Sequence, residues 1–335
     1  MGVRRLASIW PVAAAVVAAG TVAALALAGS STTATPSPAQ SFQEALHGVV
    51  KAVSPSVVLI ETSSGLGSGV VFDGDGNVVT NAHVVGSAKT FTVIASTGKQ
   101  YSAKLVGSFP PDDLAVIKVS GANLKPAVFG DSAKLQVGDI TLAIGNPLGL
   151  QSSVTDGIVS ARRSAVAEGN GYTIPSMIQT SAAINPGNSG GALADINGRV
   201  IGIPTLAARD PSLGGAAPGI GFAIPSNLVK DIAGQLVKHG KVIDSHRAYL
   251  GVRVGETNGD GVYVGEVERG TPAAKAGLRA GDVIVSVAGK PTPTMTDLSA
   301  VLARLKPGET VSVVVRRQSG KRLTLHVTLG TLPSP

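Results

Sequence analysis

The chain has 335 residues, no cysteine, 43 glycines, 20 prolines, 3% aromatic residues and a formal net charge of +7. That length suits two domains with extensions, and the missing cysteines exclude disulfides, thiolate metal sites and a cysteine nucleophile. The charge is not a nucleic-acid signature: Arg4 and Arg5 carry part of it, residues 41–246 balance 14 basic against 14 acidic, and the 12 basic against 7 acidic of residues 247–335 form no dense run interleaved with aromatics.

Leu6–Gly29 is 24 residues without a charge. As a helix it spans about 36 Å, more than the roughly 30 Å of a bilayer core. Arg4 and Arg5 before it predict a cytoplasmic N-terminus (1–5) and an anchor (6–29) that places the rest outside the cytoplasm. A cleaved signal peptide ending near Ala26-Leu27-Ala28 is the alternative, and it also exports the body, to a periplasmic or secreted state. Residues 30–40 (SSTTATPSPAQ from Ser30) read as a polar linker.

From Val57 onward short Val/Ile-rich runs are separated by glycine turns: VVLIE at 57–61, GVVF at 69–72, FTVIA at 91–95, LAVIKV at 114–119, ITLAI at 140–144 and RVIGI at 199–203. Many short strands without helices between them predict a mainly β sandwich or barrel. The first helix is expected near Ser226–His239. Ser226 is its cap, Leu228, Val229, Ile232 and Leu236 form its apolar face, and Gly240 is its stop. A first domain-sized block is 41–240, a connector covers 241–246, and a second domain covers 247–332.

Three segments carry chemistry: TNAHVV with His83, DDLAVIKV with Asp113 and NPGNSGGAL with Ser189. A serine hydroxyl needs a base to become a nucleophile at neutral pH. A histidine with an ordinary pKa near 6.5 accepts that proton, so activity is expected to fall as pH drops through that region. A buried carboxylate fixes its tautomer. The order His, Asp, Ser is that of chymotrypsin-like barrels, not of subtilisin or the α/β-hydrolases. An oxyanion hole needs two backbone N–H groups aimed at one point, and Gly187 and Ser189 supply them if the GNS turn is tightly bent. An esterase shares this chemistry, but the strand-to-helix G-x-S-x-G elbow is absent. The GLGSG at 65–69 is followed by a strand, so it is not a nucleotide-binding loop. No metal or cofactor is implied.

The chain resembles the HtrA, or DegP-like, family of trypsin-like serine proteases from about Gln40 to Gly330. The marks are PSVV at 55–58, GSGVVFDGDGNVVTNAHVV at 67–85, DLAVIKV at 113–119, AIGNPLGL at 143–150, SVTDGIVSA at 153–161, AINPGNSGGAL at 183–193 and GIGFAIP at 219–225. The resemblance implies a double six-stranded chymotrypsin-like barrel. It also implies a catalytic triad of His83, Asp113 and Ser189, a Gly187 oxyanion donor, and endopeptidase action on unfolded or misfolded proteins. The alternative on the same scaffold is a non-catalytic chaperone or peptide-binding protein. By the same resemblance the substrate pocket includes Ile184 and the strand Ile203, Pro204 and Thr205, which predicts cleavage after small aliphatic residues. Two departures bear on substrate pairing. Ser181 stands where the family carries an aspartate, and Pro204, without an N–H, stands where it carries an asparagine. Residues 162–174 and 205–219 read as mobile surface loops. A homotrimer is a family expectation, with Phe42 either as a contact or in the local core.

Residues 247–332 resemble a PDZ domain through YLGV at 249–252, GVYVGEVERGTPAAKAGLRAGDVIVSVAGK at 261–290, a helix near Asp297–Leu305 and the strands of 310–329. Such domains take a peptide C-terminus as an added strand. The resemblance assigns that role to Tyr249 and the N–H groups of Leu250, Gly251 and Val252.

Overall fold

The computed structural model describes residues 37–63, 65–146, 153–163, 165–167, 173–185, 187–210 and 215–334. The apolar segment 6–29 lies outside them, and among the described residues no helix is long and apolar enough to cross a membrane.

Six antiparallel strands close a first barrel: β1 (Val57–Glu61), β2 (Leu66–Val71), β3 (Asn77–Thr80), β4 (Thr90–Ile94), β5 (Gln100–Phe109) and β6 (Leu114–Val119), in the spatial order β1-β2-β3-β6-β5-β4. The chain continues into β7 (Ile140–Gly145) and β8 (Ser153–Arg163). A small separate pair follows, β9 (Val166–Ala167) and β10 (Thr173–Ile174). Next come β11 (Met177–Thr180), β12 (Ala192–Asp195), β13 (Val200–Asp210) and β14 (Gly215–Pro225). With β7 and β8 these four close a second barrel, β11-β14-β13-β12-β7-β8.

The strands read as unbroken apolar runs because both of their faces are buried, against different cores. In β6, Ala115 and Ile117 point into the first barrel, whereas Leu114 and Val116 point into the seam between the barrels. In β7, Ala143 points into the second barrel while Leu142 and Ile144 join the seam. The period of two is intact and only the solvent face is missing.

A 16-residue helix, α1 (Pro38–Val53), precedes the barrels, where the sequence reading placed part of a linker and no helix. Its start is a capping box: the Ser37 hydroxyl accepts from Gln40 N–H, the Gln40 side chain accepts from Ser37 N–H, and Pro38 occupies the first turn. Leu46, Val49, Val50 and Val53 form the stripe that packs on the seam. After the short α2 (Ala82–Val85), the next α-helix is α3 (Ser226–His239). Ser226 does not cap it. Pro225 holds the cap position, and the Ser226 hydroxyl donates to Gly130 O, tying the helix to the second barrel. Gly240 ends it in a left-handed conformation, as expected.

The stretch 205–219 is mostly not a loop. β13 and β14 pair as far as Asp210 and Gly215. Alternating small residues and an irregular register hid this hairpin from a periodicity reading. In 162–174, β8 extends to Arg163 and β9 pairs with β10, with residues 168–172 outside the described set.

The C-terminal unit contains β15 (Ala248–Tyr249), β16 (Val252–Gly255), β17 (Val262–Val267), α4 (Pro272–Ala276), β18 (Val283–Val287), β19 (Lys290–Pro291), α5 (Met295–Leu302), β20 (Thr310–Arg316), β21 (Arg322–Thr328) and β22 (Gly330–Thr331). Its main sheet runs β16-β17-β18-β20-β21, leaving β16 at an edge. Thr271 caps α4 before Pro272, as the sequence implied.

Candidate active site

His83 lies in α2, which opens directly after β3 at Asn81. Asp113 caps a one-turn 3₁₀ helix, Pro110–Asp112, in a left-handed conformation with φ +50°, directly before β6. The two meet twice. Asp113 Oδ1 accepts from the His83 backbone N–H at 2.9 Å, and Oδ2 lies 2.8 Å from His83 Nδ1. The Asp113 side chain is 2% exposed and the His83 side chain 44%, so the carboxylate is shielded while the imidazole is reachable from solvent. An ionised carboxylate only accepts, so Nδ1 carries the proton and Nε2 keeps its lone pair for use as a base. The Asp113 carbonyl is also held, accepting from Ala82 N–H and Asn81 Nδ2 at 3.1 Å each.

Ser189 sits on the loop between β11 and β12, and its hydroxyl donates to Thr205 O at 3.3 Å. Main-chain bonds shape this loop. Asn188 N–H donates to Asn185 O, Gly190 N–H to Pro204 O, and Gly191 N–H to Asn188 O. Because the last of these fixes the Asn188 carbonyl, the trans peptide turns the Ser189 N–H the opposite way. Gly187 has φ +109° and Gly190 φ +79°. A Cβ on Gly190 would come within 2.3 Å of Ser68 O, so glycine is required there.

Ser68, on β2 of the first barrel, is the residue that sequence reading missed. Its N–H donates to Ser189 O at 3.0 Å, its hydroxyl donates to Gly187 O at 2.6 Å, and that hydroxyl accepts from Asn146 N–H at 2.8 Å. The first barrel thus fixes the Ser189 loop of the second. A lone buried serine in a GSGVV run carries no sequence signal of that role.

Thr205 was assigned to the substrate pocket. Its side chain is instead buried, and its hydroxyl donates a short hydrogen bond to Asp113 Oδ2. Ile203 is fully buried in the seam. Both side chains thus face the interior, Thr205 toward Asp113 and Ile203 into the seam core. Pro204 pairs opposite Ala223, and its carbonyl accepts from Gly190. Ile184 is 7% exposed and packs over Gly221, where a Cβ would meet Ile184 Cγ1 at 2.3 Å. Ser181 accepts from Ile158 N–H, so its hydroxyl links the 181 turn to β8. Among the described residues no group of three or more His, Asp or Glu side chains is placed to hold a metal ion.

In the C-terminal unit an apolar groove lies beside edge strand β16, lined by Leu250, Val252, Val254, Leu298 and Leu302, with Pro175 of the barrel region at its margin. Leu250 O accepts from Ala273 N–H and Gly251 O from Glu268 N–H. Those carbonyls turn toward α4, so the trans peptides turn the Gly251 and Val252 N–H groups away from it. Gly251 has φ +83° and sits against Thr271, so no side chain fits. Tyr249 donates to Glu268 Oε2 at 2.7 Å. Burial first, then that bond and the Glu268 charge, push its phenol up to about 12.

Two closed six-stranded barrels with His, Asp and Ser gathered at their seam define the chymotrypsin class of serine-protease fold. Comparison with known proteins agrees. Residues 67–203 match the trypsin-like peptidase domain model and residues 248–329 the PDZ domain model. A probable periplasmic serine endoprotease DegP-like of Pseudomonas putida (strain W619) is 42% identical over 284 residues, covering 80% of this chain and 56% of the relative. The periplasmic pH-dependent serine endoprotease DegQ of Escherichia coli (strain K12) is 41% identical, covering 81% and 60%. The chain thus spans little more than half the length of these curated relatives. Among solved structures, the HtrA-type protease AlgW with a decapeptide aligns at TM-score 0.61 and 33% identity, over 86% of this chain and 99% of that one. The serine endoprotease from Yersinia pestis aligns at TM-score 0.58 and 34% identity, over 89% and 99%. The chain belongs to the HtrA/DegP-like family.

Proposed function

We propose that the chain is an extracytoplasmic serine endopeptidase that degrades or processes unfolded proteins, with a C-terminal PDZ domain that binds peptide C-termini and regulates access or activity. The observation that carries this reading is the doubly bonded His83–Asp113 pair, joined to Ser189 through Thr205, whose hydroxyl donates to Asp113 and whose carbonyl accepts from the Ser189 hydroxyl.

Ser189 is the nucleophile. Its hydroxyl turns from Thr205 O toward a substrate carbonyl and passes its proton to His83 Nε2. Asp113 stabilises the imidazolium. The N–H groups of Gly187 and Ser189 take the oxyanion, and losing one such donor costs about 3–4 kcal/mol. The imidazolium then protonates the leaving amine, and water repeats the steps on the acyl-enzyme. The family resemblance puts Ile184 at the first subsite, and its close packing on Gly221 supports a small apolar one that favours small aliphatic residues before the cut.

The protease domain runs from the start of α1 at Pro38, which packs on the barrel seam, to Gly240, and 241–246 joins it to the PDZ domain at 247–332. The Gly251 and Val252 N–H groups receive the ligand carboxylate, and β16 pairs with its strand. The periplasmic relatives support a location outside the cytoplasm, with residues 6–29 as anchor or export signal. Phe42, 47% exposed on α1, is a contact of a homotrimer.

Incubating a denatured protein with the wild type and with Ser189→Ala, and mapping the cuts, tests the reading. Degradation by the wild type alone, mainly after Ala, Val or Ile, is expected. Equal degradation by both removes the assignment, and cuts after Lys, Arg or acidic residues remove the subsite.

A further inference from the structure

The residue before Asp113 is itself a buried acid. Asp112 is 0% exposed, and its Oδ1 accepts from Arg247 Nη1 at 2.6 Å. Its other oxygen, Oδ2, is buried without a hydrogen-bond partner among the described residues. The same Arg247 nitrogen donates to Pro111 O at 2.5 Å, and Nη2 donates to Thr173 O at 2.7 Å on β10. The Arg247 side chain is only 10% exposed. It opens the C-terminal domain yet spans more than 130 positions of chain to grip the 3₁₀ turn that delivers Asp113.

That turn needs holding. A non-glycine residue in the left-handed region, as Asp113 is, stores about 1–3 kcal/mol and persists only where its surroundings over-determine it. A shift of about 1 Å in the Asp113 carboxylate would spoil the His83 bond, and misplacement on that scale costs on the order of a hundredfold in rate.

We propose that Arg247, reaching from the start of the PDZ domain, is a positioning residue for the triad carboxylate, acting on Asp113 through its fork of bonds to Asp112, Pro111 and Thr173. Burial pushes the Asp112 carboxyl above the usual carboxylate range, and the Arg247 charge and hydrogen bond pull it back. The pair is thus mutually dependent: without Arg247, Asp112 is an uncompensated buried charge. The interaction sits where the apolar ligand groove meets β10 and Pro175, so the PDZ domain and the acid–base half share one structural element.

This inference rests on Asp113 being the triad carboxylate. The test uses the full chain: wild type, Ser189→Ala, Arg247→Ala, Arg247→Lys, and Arg247→Ala with Asp112→Asn. Each is assayed for kcat, KM and thermal midpoint, with rates taken well below the midpoint. Arg247→Ala is expected to lower kcat at least tenfold with KM within about twofold. Arg247→Lys falls between, because an ammonium does not reproduce the planar fork. Adding Asp112→Asn to Arg247→Ala is expected to restore kcat at least threefold by removing the stranded charge. A purely structural role predicts a lower thermal midpoint with unchanged kcat, and that result overturns the proposal, as does a kcat at or above wild type. If Arg247→Ala does not fold, Arg247→Lys decides: wild-type kcat there overturns it. A wild type no faster than Ser189→Ala takes down the protease reading and this one together, whereas an active wild type with unaffected Arg247 variants removes only this one.

Discussion

The two halves of the site are built from different materials. His83 and Asp113 are held by side chains: two bonds to each other, a hydroxyl from Thr205, an amide from Asn81 and, behind them, the Arg247 fork. Ser189 is held mostly by main chain: a glycine-bearing loop whose bends are fixed by backbone bonds, by the Asn188 side chain, which accepts from Asn185 N–H and donates to Ala183 O, and by Ser68 from the other barrel. The acid–base half must present one orientation of one imidazole, so it over-determines side chains. In the proposed function the nucleophile half aims peptide N–H groups, and its loop carries glycine where a Cβ would collide. Substitutions therefore act differently on the two sides. In the acid–base half a lost partner weakens catalysis in steps, whereas in the nucleophile half one added methyl disrupts the shape as a whole.

The largest expected effect is Ser189→Ala, a loss of kcat on the order of a millionfold, as for a triad nucleophile acting as part of a unit. Gly190→Ala comes next. It should cost at least a hundredfold in kcat and also lower the thermal midpoint, because its methyl meets Ser68 O and Thr80 Oγ1. Wild-type kinetics there would break the contrast between the halves. Thr205→Ala should be milder, a tenfold to hundredfold fall in kcat, matching a charge-assisted hydrogen bond of about 1.5–3 kcal/mol. Thr205→Ser keeps the hydroxyl and should retain most of the rate. If serine fails as badly as alanine, packing rather than the bond to Asp113 is what matters.

The smallest effect is in the PDZ groove and asks whether side-chain bracing extends there. Absorbance titration should find the Tyr249 phenol near 12, and Glu268→Gln should lower it while burial keeps it above the ordinary 10. The sign for stability follows. A folded-state pKa above the unfolded value gives a contribution that is full below pH 10 and lost as pH rises through about 12. A phenol titrating at its ordinary value would remove the Tyr249–Glu268 bond from the account.

Much of this was legible in the sequence where local chemistry sets structure. The strand runs, the Gly240 stop and the Thr271-Pro272 cap each carry their signal within a few residues, as do the segments that hold His83, Asp113 and Ser189. The helix α1 was legible too, in Ser37-Pro38 with Gln40 and the Leu46, Val49, Val50, Val53 stripe, but the polar Ser30–Gln40 stretch masked its start. What sequence could not carry was long-range. Thr205 reaching Asp113, Ser68 reaching Gly187 and Arg247 reaching Asp112 join residues 92, 119 and 135 positions apart. Ile203 was placed in the pocket by the family resemblance, which names a strand and not the face that each side chain takes.

The central claim is that Ser189 is a nucleophile activated by the His83–Asp113 pair. Reaction of the full chain with a fluorophosphonate, followed by mass spectrometry, measures this directly. The account predicts a single adduct, on Ser189, whose rate of formation falls at least a thousandfold in His83→Ala. Labelling of another residue, or labelling of Ser189 at the wild-type rate without His83, would contradict it.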